Sequence, residues 1–222
     1  MRMKCEVERC ANPGDFRIFQ FREDETNFHL ELCERHVRPI IARYSRECAQ
    51  TPRPTGASLL PFNVACIATR DGSDMAVVYL RAAGGPRFVF TTGTLEGWML
   101  LRTLPGGTEG SLTVKSMAAV IDGLGGELRE VVIDQLEKDA YRATLRFVQA
   151  GRPLPIEVRA SEGVALALAT GAPIHIASEL LSHSAERALQ IDVVERMKLA
   201  GPMLGAAKGD RAKQTFGEEV GT

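Results

Sequence analysis

Residues 153–181, PLPIEVRASEGVALALATGAPIHIASELL, constrain this chain more than any other stretch, because they change period three times with only a short polar turn at each join. Leu154, Ile156 and Val158 alternate with other residues, the period of a half-buried strand. Ser161 is placed to cap the helix that follows, its hydroxyl accepting from an unpaired N–H of the first turn. Val164, Leu166 and Leu168, interleaved with alanines, make that helix short and apolar, and Gly171 stops it. Pro173–Ala177 then reads as a buried strand, which makes His175 a core histidine before a base. Arg159 and Glu162 are the exceptions: two charges at the strand-to-helix turn of an otherwise apolar segment.

Upstream, hairpins dominate. Strands over 63–69 and 75–81 flank the turn Arg70-Asp71-Gly72-Ser73-Asp74, and Gly84-Gly85-Pro86 leads to a third over 87–91. A helix over 95–104 carries the only tryptophan, Trp98, and ends at Pro105-Gly106-Gly107. Thr113 opens another over 113–124, which Gly125-Gly126 closes. Segments 128–136, 141–148 and 154–158 are joined by loops short enough for an antiparallel meander. A last helix is expected over 185–199, with Ser184 as its cap and Gly201-Pro202 as its stop. Hairpins mixed with helices predict an α+β fold with an antiparallel or mixed sheet and packed helices. Neither a G-x-G-x-x-G run nor a Walker loop is present, so nucleotide binding of those kinds is unsupported.

The first fifty residues follow a different logic. The chain has five cysteines, an odd number that argues against a disulfide framework. Cys5 and Cys10 form a C-x4-C pair and Cys33 and His36 a C-x2-H pair. Between them lie two expected strands, 16–22 and 28–32, with Asn12-Pro13-Gly14 as a turn. Three thiolates and one imidazole suit a closed, structural tetrahedral zinc, and so short and polar a module needs such a staple. The run Leu32-Cys33-Glu34-Arg35-His36 resembles the second ligand pair of zinc-ribbon and treble-clef modules, whereas four residues between Cys5 and Cys10 exceed their usual two. His29 competes with His36 at a less typical spacing. Cys66 reads as core and Cys48 as a lone thiol in a polar stretch after a helix over 37–49.

These segments divide the chain into a zinc-binding module with its helix (1–49), a Pro- and Gly-containing linker (50–60), a main domain (61–182), a C-terminal helix (183–201) and a Gly/Lys/Glu-rich tail (202–222). A net charge of −1 does not advertise a nucleic-acid binder. Arg35, Arg38, Arg43, Arg46 and Arg53 form the one basic cluster, and it reads first as a solvated helix face. No run is long enough to span a bilayer and the N-terminus has no signal-peptide core, so no membrane partner and a cytoplasmic location are the expectations.

From about residue 62 to residue 181 the chain resembles the bifunctional nuclease (BFN) domain family. Arg159-Ala160-Ser161-Glu162-Gly163 is similar to that family's Arg-x-Ser-Asp-Ala run, and Thr170-Gly171-Ala172-Pro173-Ile174 repeats its Thr-Gly-Ala-Pro-Ile. Thr92-Gly93-Thr94-Leu95-Glu96-Gly97 resembles its Ile-Gly-x-x-Glu-Ala motif. The resemblance implies hydrolysis of phosphodiester bonds in RNA or DNA, Mg²⁺ or Mn²⁺ for catalysis beside the structural zinc, and a homo-oligomer. It makes Glu96, Arg159 and Glu162 the catalytic candidates. An acid in the first turn of a helix is also favoured by the helix dipole alone, and Arg159 can pair with Glu162 or Glu157 as a structural bridge. The family's Arg-Pro-x-Thr-His-Asp run is replaced here by Gly110-Ser111-Leu112-Thr113-Val114-Lys115, and its motif aspartate by the longer Glu162. The alternative reading is therefore a non-catalytic, zinc-stabilised binding or regulatory protein on the same fold.

Overall fold

The structure, a computed structural model, describes residues 4–21, 27–51, 58–83, 85, 87–103, 112–190 and 192–199. The calls on Arg53, Pro105–Gly107, Gly110-Ser111, the middle of the linker and the 202–222 tail lie outside them.

A hairpin of β1 (Phe16–Phe21) and β2 (Asn27–Leu32) leads into α1 (Glu34–Ala49). Then come β3 (Leu59–Arg70), β4 (Met75–Arg81), β5 (Arg87–Gly93), α2 (Thr94–Thr103) and α3 (Leu112–Gly123). Next are β6 (Gly126–Glu137), β7 (Ala140–Gln149), β8 (Arg152–Arg159), α4 (Ala160–Thr170), β9 (Ile174–Ala177), α5 (Glu179–Gln190) and α6 (Val193–Leu199). The strands form one mixed sheet in the order β2-β1-β3-β9-β6-β7-β8, with β4 paired to β3 and β5 to β4. The β6–β9 pair is parallel, and the other pairs among the described residues are antiparallel. This is the α+β class expected, with the Cys/His module at its N-terminal end.

β3 joins the two ends of the molecule. Its first residues, Leu59–Phe62, pair with β9, whereas Cys66–Arg70 pair with β1 and Asn63–Thr69 with β4. A register shift between Val64 and Cys66 adds one residue to β3. That bulge switches parity, so Val64 and Ile67 enter the same core although their numbers differ by three.

Helices cover both faces of the sheet, and this explains why β4 reads as a continuous apolar run. Val78 and Leu80 enter the larger core with Leu100 and Leu101 of α2 and Val164–Ala167 of α4. Val77 and Tyr79 enter the second, with Val37 and Ile41 of α1 and Val193, Val194 and Met197 of α6. Two glycines set how closely α2 and α4 approach. A Cβ on Gly97 would overlap the Ala76 methyl of β4, and one on Gly163 would lie 2.9 Å from Val131 Cγ1 and 3.1 Å from Ala143 Cβ.

Several local expectations are corrected. α1 begins at Glu34, earlier than the expected residue 37, with Cys33 as its N-cap residue and Pro39 inside the helix. Cys48 therefore lies on α1 and is fully buried, and burial pushes its thiol up to about 12. Ser161 does not cap α4. It is buried inside the first turn, and the Arg159 backbone N–H is instead held by Glu162 Oε2 at 2.9 Å. The expected helix over 185–199 is two helices, α5 and α6. Asp192 restarts the chain by accepting from the Glu195 N–H at 3.0 Å. Ser184 is no cap either: fully buried in α5, its hydroxyl accepts from Val89 N–H at 2.8 Å and donates to Val89 O at 3.1 Å. β8, expected half-buried, leaves Leu154 45% and Ile156 41% exposed. Gly171 does end α4, with φ 76 and its N–H on Ala167 O. No helix among the described residues is long and apolar enough to cross a membrane.

Two arginines of the basic face of α1, Arg38 and Arg43, are engaged in ion pairs. Arg38 bonds Glu34 at 2.6 Å, Asp192 at 3.0 Å and also Glu195, while Arg43 bonds Glu47 at 2.8 Å. Lys198 of α6 closes the same network on Glu34 at 3.2 Å.

Candidate active site and metal centre

The N-terminal cluster is built by a loop and a helix end. In the C-x4-C loop the Cys10 N–H returns to Val7 O at 3.0 Å, and Arg9 just before it takes φ 62. The Cys5 N–H bonds Asn12 O at 3.0 Å, which closes the same loop from its other side. Cys33 and His36 straddle the start of α1, so helix geometry fixes their spacing. His36 Nδ1 lies 3.2 Å from Cys5 Sγ and 3.4 Å from Cys33 Sγ, and Cys10 Sγ is 3.8 Å from Cys33 Sγ.

The four ligand atoms all lie within 4.8 Å of one another and could hold a metal ion. This is the one such group of three or more found among the described residues. Burial acts to raise the Cys33 thiol, but hydrogen bonds from the His36 backbone, the Asn12 amide and Cys10 outweigh it and hold the thiol below its ordinary value. A helix N-terminus works in the same direction. His29 is outside the group: it is 40% exposed and stacks on Phe19 with ring centroids 4.6 Å apart. Asn12, whose Nδ2 approaches Cys33 Sγ at 3.8 Å, was missed from sequence. Its signal was its position two residues beyond Cys10, just after the knuckle.

The three catalytic candidates come together at the starts of α2 and α4. Glu96 is in the first turn of α2, and a Cβ on Gly93 would overlap its carboxylate, so the glycine leaves room for it to fold back. Arg159 ends β8 and caps α4, and its Nη1 bonds Glu96 Oε1 at 3.2 Å. Glu162 reaches back to the Arg159 backbone. In both helices the acid is followed by the glycine that lies against the sheet, Glu96-Gly97 and Glu162-Gly163, so sheet contact orients the acid's helix turn. Arg159 is 61% exposed and Glu96 26%.

Arg142 belongs to this neighbourhood and was not singled out in the sequence. It is the cross-strand partner of Arg159, and Glu137 at 3.0 Å and Glu157 at 3.8 Å balance it. The Lys138-Asp139 turn, which sets the β6–β7 register, was the signal that could have found it. Glu157 thus pairs with Arg142, and the structural bridge open to Arg159 is made by Glu96 instead. His175 stands apart on β9, half-buried, with Nδ1 2.8 Å from Glu130, which also takes Arg146 at 2.8 Å. His183 is half-buried on α5 with Nδ1 3.3 Å from Tyr141 Oη.

No curated protein matches the chain. Residues 106–188, which carry α3, β6 to β9, α4 and most of α5, match the family model described as bifunctional nuclease domain. Arg159 and Glu162 lie inside the part of the chain similar to that family, and Glu96 lies before it.

Proposed function

We propose that the chain is a nuclease of the bifunctional nuclease type, hydrolysing phosphodiester bonds of RNA or DNA at the junction of α2 and α4. The observation that carries this reading is the contact of Glu96 and Glu162 with the side chain and backbone of one arginine, Arg159. In this role Arg159 moves from Glu96 to a non-bridging phosphate oxygen, and the freed carboxylate turns to a water molecule or a cation. Arg142, opposite it in register, adds a second positive charge beside the phosphate. A half-buried carboxylate, Glu96, and an exposed one, Glu162, suit Mg²⁺ or Mn²⁺, which such sites hold through one or two carboxylates with the rest of the shell from water and phosphate. A bound cation would supply charge neutralisation at the phosphate and a more acidic water.

The Cys5, Cys10, Cys33 and His36 group is read as structural zinc. A tetrahedral zinc with Zn–S near 2.3 Å spaces its sulfurs about 3.8 Å apart, and the chain's Cys10–Cys33 separation is 3.8 Å. With four protein ligands no coordination position is left for chemistry. We place the protein in the cytoplasm, with residues 1–49 as the zinc module and 61–182 as the catalytic domain. The pairing of β1 with β3 supports a fixed arrangement of the two.

A second reading, a non-catalytic nucleic-acid-binding or regulatory protein, is favoured by one observation: Glu162 already serves as the cap of α4. Cleavage of single-stranded RNA and DNA with Mg²⁺ or Mn²⁺ separates the two readings. Wild type would cut, and Glu96→Gln and Arg159→Ala would lose at least tenfold in rate. Binding without cutting, or equal cutting by all three proteins, would overturn the nuclease reading.

A further inference from the structure

His29 and Trp98 are two rings that neither the metal group nor the acid–arginine set uses. Both meet on one face of the N-terminal hairpin. In register, Phe19 of β1 pairs with His29 of β2 and Ile67 of β3, and Arg17 pairs with Glu31 and Thr69, so these side chains share a face. Ile67, Phe19 and Trp98 place that face on the side of the larger core. His29 stacks on Phe19 with an angle of 18° between the rings, and Trp98 of α2 meets Phe19 edge-on at 6.3 Å. The Arg17 guanidinium lies 5.5 Å from the centre of the Trp98 ring. The buried Glu31 carboxylate lies 3.3 Å from Arg17 Nε and 3.8 Å from His29 Nε2. The imidazole is thus backed by Phe19 and edged by Glu31, and it is still 40% exposed.

This shelf adjoins the acid–arginine set. Glu96 and Trp98 flank Gly97, the residue seated on Ala76, so they leave α2 on opposite sides, Glu96 toward Arg159 and Trp98 toward Phe19. Arg17 bonds Asp71 at 2.6 Å in the same β3–β4 turn whose Ser73 and Asp74 carbonyls hold Thr94 at the start of α2. A helix with its side chains is about 10–12 Å across, a span of about three nucleotides at stacked spacing.

We propose that His29, backed by Phe19 and Trp98, is a stacking platform for an unpaired nucleobase of a single strand whose phosphate is engaged at Arg159. This role rests on the nuclease reading of the α2–α4 junction and adds to it a preference for unpaired substrate. It also gives a part in binding to the hairpin, which lies outside residues 106–188. The chemistry favours a base over a phosphate here. Arg17 is already met by Glu31 and Asp71, so it brings no spare positive charge to the shelf. Stacking needs only a π-face, which every base has, and it selects unpaired bases because those in a duplex are covered on both sides. A ring already held by its neighbours loses little freedom when a base covers it.

The test is fluorescence anisotropy of labelled single-stranded DNA and RNA with the full chain, without added Mg²⁺ or Mn²⁺ so that binding is read apart from cleavage. His29→Ala should weaken binding roughly fivefold or more. The factor should be the same at low and high salt, because no phosphate contact is removed. His29→Phe, which keeps a flat ring, should bind as wild type does. On an abasic sugar–phosphate strand of the same length, and on duplex, wild type and His29→Ala should bind alike. His29 is exposed and outside the metal group, so bound metal should match wild type in both variants. Should His29→Ala misfold, photo-crosslinking of wild type to a 4-thiouridine strand, mapped by mass spectrometry, decides by marking β2 or leaving it unmarked. Equal single-strand binding by wild type and His29→Ala, a loss that depends on salt, or crosslinks that spare β2 would overturn the platform and leave the nuclease reading standing. Wild type that binds no nucleic acid would overturn both.

Discussion

The Cys/His cluster and the Glu96–Arg159–Glu162 cluster are both groups of side chains from distant parts of the sequence, yet they are held in opposite ways. Cys5 and Cys33 are buried, and their positions are set by a closed loop and a helix end. Arg159 and Glu162 are exposed; the Arg159 guanidinium is balanced by Glu96, and the Glu162 carboxylate bonds the Arg159 backbone N–H at the N-terminus of α4. The first arrangement gains most from an ion bound on folding. The second can release its groups to a ligand at small cost, since exposed ion pairs contribute little. The Cys/His module is thus expected to govern stability and the acid–arginine set to govern activity.

That contrast can be broken at several points, beginning with the metal. Structural zinc contributes about 10–16 kcal/mol in isolated zinc-finger peptides. Cys33→Ser, or a strong chelator, should abolish the cooperative unfolding of the β1–β2 hairpin. Hydrogen exchange of Ile18 and Leu30 reads this directly, and unchanged protection after metal removal would sink the structural role. Gly163→Ala should cost about 1–3 kcal/mol, because its methyl must displace Val131 or Ala143 beneath α4. A urea midpoint equal to wild type would show that α4 can lift without penalty. Ser184→Ala should cost about 1–3 kcal/mol by leaving the Val89 N–H buried and unpaired, seen as a lower melting temperature.

Acid sharpens the comparison further. Hydrogen bonds from Arg38 and Lys198 hold the Glu34 carboxyl below its ordinary value, and Asp192 is held low chiefly by the Glu195 backbone N–H. Both shifts are downward, so the stabilisation is complete above the ordinary carboxylate range and is lost as pH falls through the depressed values. Arg38→Ala should flatten that acid-side loss in a pH series of thermal melts. Smallest of all, Arg159→Ala should change stability by less than about 1 kcal/mol while removing activity. A large destabilisation would make Arg159 a structural residue first.

Much of this was legible in the chain because local signals and tertiary context agreed. The ligand set Cys5, Cys10, Cys33 and His36 could be read from spacing, and Gly171 could be read as a helix stop. The convergence of Glu96 with Arg159 rested on a family resemblance, since no local pattern links residues from two helices so far apart. What sequence missed came from the competition of neighbours. Ser161 and Ser184 look like caps, but one is buried in a helix turn and the other is drawn to Val89. Asp192, an ordinary surface acid in the sequence, is what divides α5 from α6. The alternation of Leu154 and Ile156 gave a strand correctly but could not show that nothing in the described chain covers it.

The two-sided pairing of β3 also has a consequence for how the protein is made. Its second half can find β1 and β4 soon after synthesis, since both lie nearby in the sequence. Its first half, Leu59–Phe62, must wait for Ile174–Ala177 of β9. β6 waits for three of the same residues, Ile174–Ile176, on its other side. Until the ribosome has delivered them, the sheet has a gap at its centre with two open edges, each a template on which another strand could mispair.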